Sequence, residues 1–256
     1  MRFMLVAMKR PYSQHRRLLA NRPCRATLGA AVLGCLLTLA ALGQETSVKP
    51  DINEPFQNPD VDNYIGRFER DGREVFDKRE EIVKACLLRK GMDMADIGAG
   101  TGFLTRMFAR AVGEKGTVWA VDISDKFIEH IENTAREEGL SNIKGVVCDQ
   151  NDTRLPPNSV DLVFMSDAYH HFEFPAKTMA SVHRALRRGG QLIVIDFERK
   201  EGESDEWTLE HVRADRGTVT REIQAAGFGI VGDAHFLEEN FFLRFLKVEP
   251  ETSSRR

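Results

Sequence analysis

Five short apolar runs, at 92–97, 118–121, 143–148, 160–165 and 191–197, are nearly continuous in hydrophobic residues instead of alternating with polar ones. A strand that reads this way is covered on both faces, the environment of a parallel sheet whose crossovers are helices. The intervening segments supply those helices. Phe103, Leu104, Met107, Phe108, Ala111 and Val112 fall on one helical face, as do Phe127, Ile128, Ile131 and Ala135, and again Met179, Val182, His183 and Leu186. The order β-α-β-α-β-β-α-β predicts an α/β fold with a doubly wound, mostly parallel sheet and helices on both faces. Two further runs, 229–236 and 241–248, flank the turn Glu238-Glu239-Asn240 and add two strands.

Open α/β sheets bind ligands beyond the carboxyl ends of their strands, so those ends carry the functional reading. The first run leads directly into Asp96-Ile97-Gly98-Ala99-Gly100-Thr101-Gly102, and the second ends at Asp122. Glycines let the backbone approach a ligand closely, and a carboxylate at the next strand tip accepts from ribose hydroxyls; together they predict a nucleoside pocket. The register is G-x-G-x-G, whereas a pyrophosphate at a helix N-terminus calls for G-x-G-x-x-G. Asp96 points the same way, since a carboxylate there repels phosphate and suits a cationic ammonium group. An NAD-dependent oxidoreductase, which would share the sheet and Asp122, lacks its glycine register and any Tyr-x-x-x-Lys arrangement here.

Asp96 to Gly102 resembles motif I of the class I S-adenosylmethionine-dependent methyltransferases, an acid followed by x-G-x-G-x-G. That resemblance implies a Rossmann-like methyltransferase fold of seven strands in the order 3-2-1-4-5-7-6, the last two forming an antiparallel hairpin. It implies S-adenosyl-L-methionine as cofactor. Asp96, Gly98, Ala99, Gly100 and Gly102 would wall its methionine part, and Asp122 with Ile123 would hold the ribose. Asp149 with Gln150 would face the adenine, and Ser166 would stand at the end of the fourth strand. The spacing from Asp149 to Pro156 is one residue longer than the common family pattern, and Cys148 replaces the usual small residue. His170-His171-Phe172 and Leu186-Arg187-Arg188-Gly189-Gly190 are similar to elements of the quinone, sterol and arsenite methyltransferases. The similarity covers about 64–248 and implies transfer to a small-molecule acceptor by in-line displacement, without naming the acceptor. A non-catalytic domain that only binds the cofactor is the competing class.

On the acceptor side, His170 or His171 is placed to act as a base near neutral pH, with Tyr169 orienting a substrate; a histidine here also serves to cap the following helix or pack beside the cofactor. His211 and Arg213 are candidate substrate-side groups from the variable region after the fifth strand, with a solvated helix the preferred reading for both. Asp167 and Asp196 both end strands, as the acids of a magnesium site would, but the Asp-Asn pair of such sites is missing. No further His/Cys cluster accompanies Asp167 and the two histidines, so no metal is expected.

The chain has 256 residues, sufficient for one such domain. Residues 1–43 hold seven Arg/Lys and no acid, followed by an uncharged stretch at 26–43 with an apolar core at 30–42. This reads as a signal peptide or N-terminal membrane anchor in contact with membrane or export machinery. As a signal it would be cleaved before Gln44; a lipoprotein site near Cys35, a partial twin-arginine signal at Arg16-Arg17 and a misassigned start codon are the alternatives. Localisation follows accordingly: periplasmic, membrane-anchored, or cytoplasmic if the start lies further in. Without those seven, 29 of the 36 basic residues remain against 39 acidic ones. An acidic surface repels phosphate backbones, so no nucleic-acid partner is expected. Residues 44–63, rich in Pro, Asp and Asn, predict a linker or mobile arm without a core role. A helical segment should span 64–88, the domain should run over 64–250, and 251–256 should be a disordered tail.

Overall fold

The computed structural model describes residues 44–249. The expected front segment at 1–43 and the tail at 251–256 lie outside the described residues, and among those described no helix is long and apolar enough to cross a membrane.

One seven-stranded sheet organises the domain: β1 (Met94–Ile97), β2 (Val118–Asp122), β3 (Ile143–Val147), β4 (Val160–Ser166), β5 (Leu186–Phe197), β6 (Phe228–Ala234) and β7 (Asn240–Lys247). Its spatial order is β3-β2-β1-β4-β5-β7-β6. Neighbours from β3 through β5 run parallel, and β7 is antiparallel to both β5 and β6. The reversal between β1 and β4 opens a crevice at their carboxyl ends, which is where the glycine turn sits.

Burial explains the continuous apolar runs. Ala95, Ile97, Val121, Val163, Met165, Leu192 and Val194 point to one face of the sheet, where α7 (Pro175–Ala185) and α9 (Arg216–Ala225) cover them with Met179, Val182 and Ile223. Met94, Val118, Leu162, Phe164, Ile193 and Ile195 point to the other, under α4 (Arg79–Ala85) and α5 (Phe103–Val112) through Ile82, Phe108 and Val112. Ala120 packs on that side beneath Ile128 and Ile131 of α6 (Asp125–Glu137). Alternate residues are thus apolar for both faces, and the buried polar exceptions Asp96 and Asp196 lie toward the carboxyl ends of their strands.

Gly102 marks the entry to α5 with a left-handed backbone, φ +75°, ψ +15°. A Cβ there would stand 2.5 Å from Cγ1 of Ile131. Gly102→Ala is therefore expected to lower stability by about 2–3 kcal/mol, the cost of an alanine in this conformation plus a displaced core side chain. A thermal melt checks it; an unchanged transition would refute this packing.

Two expectations change in the structure. The segment before β1 is not one helix but α2 (Val61–Phe68), α3 (Glu74–Asp77) and α4, because Asp71-Gly72 turns the chain at φ +84° and Asp77 accepts the Gly72 N–H. The stretch at 44–63 is not a free linker. Ile52 and Asn53 are buried, and α1 (Glu54–Gln57) packs within it. Gln44 Nε2 donates to the Glu173 carbonyl, and Lys49 Nζ donates to the carbonyls of Glu210 and His211 at 2.6 and 2.7 Å. Those carbonyls end α8 (Glu206–His211), so a distant lysine caps that helix. The missing periodicity is real, but the contacts are made one side chain at a time.

Candidate active site

A cleft of about 870 Å³ opens along the carboxyl ends of β1, β2, β4 and β5. Asp96, Gly98, Ala99, Gly100, Asp122, Ile123, Asp149, Gln150, Ser166, His170 and His171 all line it. Of the residues expected there, Gly102 alone is absent from the wall, being turned against Ile131 instead.

The glycine loop is held from both sides. Gly98 has φ +73°, and a Cβ on it would stand 2.5 Å from the Cβ of Ala168, so this approach of the β1 and β4 ends requires glycine. Asp122 Oδ2 accepts the Gly100 N–H at 2.9 Å, and its Oδ1 accepts the Ser124 N–H at 3.0 Å. Each carboxylate oxygen keeps a second lone pair, so Asp122 fixes the loop and can still accept from a diol in the cleft. Burial raises its carboxyl above the ordinary range, and the backbone N–H groups of Ser124, Gly100 and Ile123 oppose that rise. Asp96 is buried as well. Burial pushes it up to about 7, although the Thr105 hydroxyl donates to it at 2.6 Å; the nearby Asp122 adds to the rise.

Asp149 sits on the rim with both oxygens engaged by Arg154, through Nε at 2.8 Å and Nη2 at 2.7 Å. The pair is half exposed, so water competes for it and the carboxylate stays available to a ligand. Two buried hydroxyls of residues lining the cleft, Thr101 Oγ1 and Ser166 Oγ, have no hydrogen-bond partner among the described residues. Both residues line the cavity beside the glycine cradle and the acid of β2, the place a nucleoside-bearing cofactor would fill.

The other end of the cleft is aromatic. Phe56 meets His171 edge-on at 4.9 Å, and Trp207 stacks on His211 at 4.7 Å and 20°. His170 and His171 form a single 3₁₀ turn after β4 (Tyr169–His171). Burial and the neighbouring imidazoles of His170 and His211 push His171 down to about 2, and burial with the neighbouring His170 imidazole and the Lys49 ammonium holds His211 at about 4. Both rings are neutral at physiological pH.

Three readings of this region are corrected. Tyr169 does not face a substrate: its ring is fully buried, its hydroxyl donates to Glu222 Oε2 at 3.0 Å, and it does not line the cleft. Arg213 is not a solvated helix residue, because it forms a two-pronged pair with Glu222 at 3.0 and 2.8 Å and lies over the Tyr169 ring. His211 is half-buried and joins the His170–His171 pair, its Nε2 lying 3.4 Å from that of His171. The two strand-end acids are each committed. Asp167, at φ +49°, pairs with Arg73 at 2.6 Å and accepts from Asn240 Nδ2 at 2.7 Å; Asp196 accepts from His170. Arg73, Phe68 and Phe56 come from the segment before β1, where nothing local in the sequence marks them as cleft residues.

A sheet of this order with a glycine cradle and an acid on β2 defines a Rossmann-like methyltransferase. Residues 88–230 match the family model described as a methyltransferase domain, and the chain belongs to that family, whose cofactor is S-adenosyl-L-methionine. Over 111 residues it is 32% identical to the ubiquinone/menaquinone biosynthesis C-methyltransferase UbiE of Psychromonas ingrahamii, a match covering 43% of this chain and 44% of that protein. The chain thus spans less than half the length of the curated relative. A solved S-adenosylmethionine-dependent methyltransferase from Aquifex aeolicus superposes with a TM-score of 0.66 at 26% identity, covering 75% of this chain and all of that one. An N-methyltransferase of Haemonchus contortus, solved with phosphomonomethylethanolamine and S-adenosylhomocysteine, superposes at 0.64 with 18% identity, 78% of this chain and 60% of that one, which is a likeness of fold.

Proposed function

We propose that this protein transfers the methyl group of S-adenosyl-L-methionine to a carbon or oxygen of a small, planar, hydroxylated aromatic acceptor of the hydroquinone type. The observation that carries the acceptor class is the far end of the cleft, where Phe56, Phe172, Phe197 and Trp207 surround two neutral imidazoles. Flat aromatic walls suit a ring, and the histidine nitrogens suit its hydroxyl. The relative from Psychromonas ingrahamii, named for ubiquinone and menaquinone biosynthesis, supports the same class.

Bound S-adenosyl-L-methionine supplies an electrophilic methyl on a sulfonium. The chain's own residues then have three tasks. Asp122 holds the nucleoside end at the ribose, and the Gly98–Gly100 backbone with Asp96 walls the cationic methionine end. Asp149 and Gln150 approach the adenine side, and Ser166 stands midway along the cleft. The aromatic end excludes water and holds the acceptor in line. His170 and His171 orient the acceptor hydroxyl. A ring held near a pKa of 2 is a weak base, so His171 acts by hydrogen bonding, and the proton that the acceptor loses passes to solvent water at the cleft mouth.

Labelled S-adenosyl-L-methionine and a panel of acceptors test this reading with the full chain. Transfer to a hydroquinone is expected to exceed transfer to phosphoethanolamine or arsenite by at least about tenfold in kcat/KM, roughly 1.4 kcal/mol of discrimination. Preference for either non-aromatic acceptor, or cofactor binding with no transfer at all, would discard it.

A further inference from the structure

We propose that His170, His171 and His211 form a binding site for one divalent transition-metal ion of the zinc type, with an open coordination position toward the acceptor end of the cleft. One ring nitrogen from each histidine lies within 4.8 Å of the others. His171 Nε2 and His211 Nε2 are 3.4 Å apart, long for a hydrogen bond between imidazoles. It is close to the ~3.3 Å that separates two nitrogens on one tetrahedral zinc with bonds of about 2.0–2.1 Å. The rings are also mutually inclined, with centroids 4.3, 5.1 and 5.2 Å apart at 43°, 65° and 72°, so they converge instead of stacking.

The support around the trio has the form that metal-binding histidines require. Asp196 Oδ1 lies 2.7 Å from His170 Nδ1, and both side chains are only 2% exposed. The other carboxylate oxygen accepts the His170 backbone N–H at 2.9 Å. This arrangement puts the ring proton on Nδ1 and leaves Nε2 a free lone pair, the carboxylate–histidine–metal geometry. It also supplies one negative charge beside a cation. His171 is fixed by its carbonyl, which accepts from Asn53 Nδ2 at 3.0 Å, and by the edge of Phe56. His211 is fixed by the stacked Trp207 and by Lys49 on the last carbonyls of α8.

Three histidines without a fourth protein ligand make a site of the catalytic kind, in which the remaining position takes water or substrate. All three line the cleft that the glycine loop also lines. An oxygen ligand entering from that cleft completes the set, and this deepens the reading given above, since an acceptor hydroxyl is such a ligand. The absence of a further His or Cys near the pair in the sequence argues against a metal only until His211, 40 positions away, is brought in by the fold.

The experiment uses the full-length protein stripped with a chelator and titrated with Zn²⁺ alone, then with Co²⁺ as a spectroscopic probe. One equivalent of zinc is expected to bind, and Co²⁺ should give the intense visible bands of a four-coordinate nitrogen and oxygen set. His211→Ala should weaken zinc binding by at least 100-fold. His211→Gln, with a near-wild-type melting curve, should weaken it comparably, and Asp196→Asn should weaken it by 10- to 100-fold. Absence of stoichiometric binding overturns the proposal, and so does zinc affinity unchanged in the folded His211 variants. Metal binding is read without cofactor or acceptor. A protein that methylates a hydroquinone but binds no zinc therefore loses only the metal site, and one that binds zinc through His211 without methylating loses only the acceptor reading.

Discussion

Replacing Asp122 by alanine is expected to weaken binding of S-adenosylhomocysteine by about 100-fold or more, the largest single-residue effect on the cofactor. Asp122 is buried, and each of its oxygens holds one backbone N–H, from Gly100 and from Ser124. Truncation removes the acceptor of two buried backbone donors, at about 1–3 kcal/mol each, and frees the loop that must approach the ligand. It also removes charge-assisted acceptors for the ribose diol, worth about 1.5–3 kcal/mol per hydrogen bond. Asp122→Asn separates the two contributions, because the amide retains one acceptor and turns a donor toward one of the two N–H groups; an intermediate loss is expected. Calorimetry with S-adenosylhomocysteine reads the affinity, and a melting curve reads the loop. Wild-type affinity in a folded Asp122→Ala protein would remove the ribose from this position.

What could be read from the sequence divides by how far the contacts reach along the chain. The glycine turn and Asp122 were legible because each is the end of an apolar run, and a parallel sheet places successive run-ends side by side. The final hairpin needed the family likeness, since nothing in 229–248 states which neighbour β7 takes; in the structure it pairs with β5 across seven residue positions. Leu186 shares the helical period of Met179, Val182 and His183, yet it opens β5 and pairs with Val160 across an irregular register. The wall before β1 was invisible for another reason. Phe56, Phe68 and Arg73 carry no common period, and two of them are held by partners far away, Arg73 by Asp167 and the Phe56 ring by His171. His211 is the sharpest case: on its six-residue helix its local company is Trp207, and the lysine at position 49 and the turn after β4, both far away in sequence, bring it to the cleft.

Cofactor affinity is expected to rise with pH through the range in which Asp96 ionises, while the stability of the ligand-free protein falls. Burial, against the Thr105 hydroxyl and with the charge of Asp122, raises the Asp96 carboxyl from 3.8 to about 7. A folded-state value above the unfolded one means that the folded protein holds the extra proton between those two pH values. Its contribution to stability is therefore complete below about 3.8 and is lost as pH rises through about 7, a difference of up to about 4 kcal/mol for a shift of this size. Asp122 and Asp167, also raised by burial, act in the same direction, whereas His171 and His211, lowered by burial, act in the opposite one. The informative quantity is consequently the difference between wild type and Asp96→Asn. The ligand reverses the preference. A sulfonium and an ammonium near this carboxylate favour its ionised form, so binding at pH 6 should expel close to one proton, and affinity should climb by up to about tenfold per pH unit below 7. Calorimetry at pH 6 in two buffers of different ionisation enthalpy measures that proton directly. Asp96→Asn should release none and should flatten the pH dependence; equal proton release from both proteins would place the cationic end of the cofactor elsewhere.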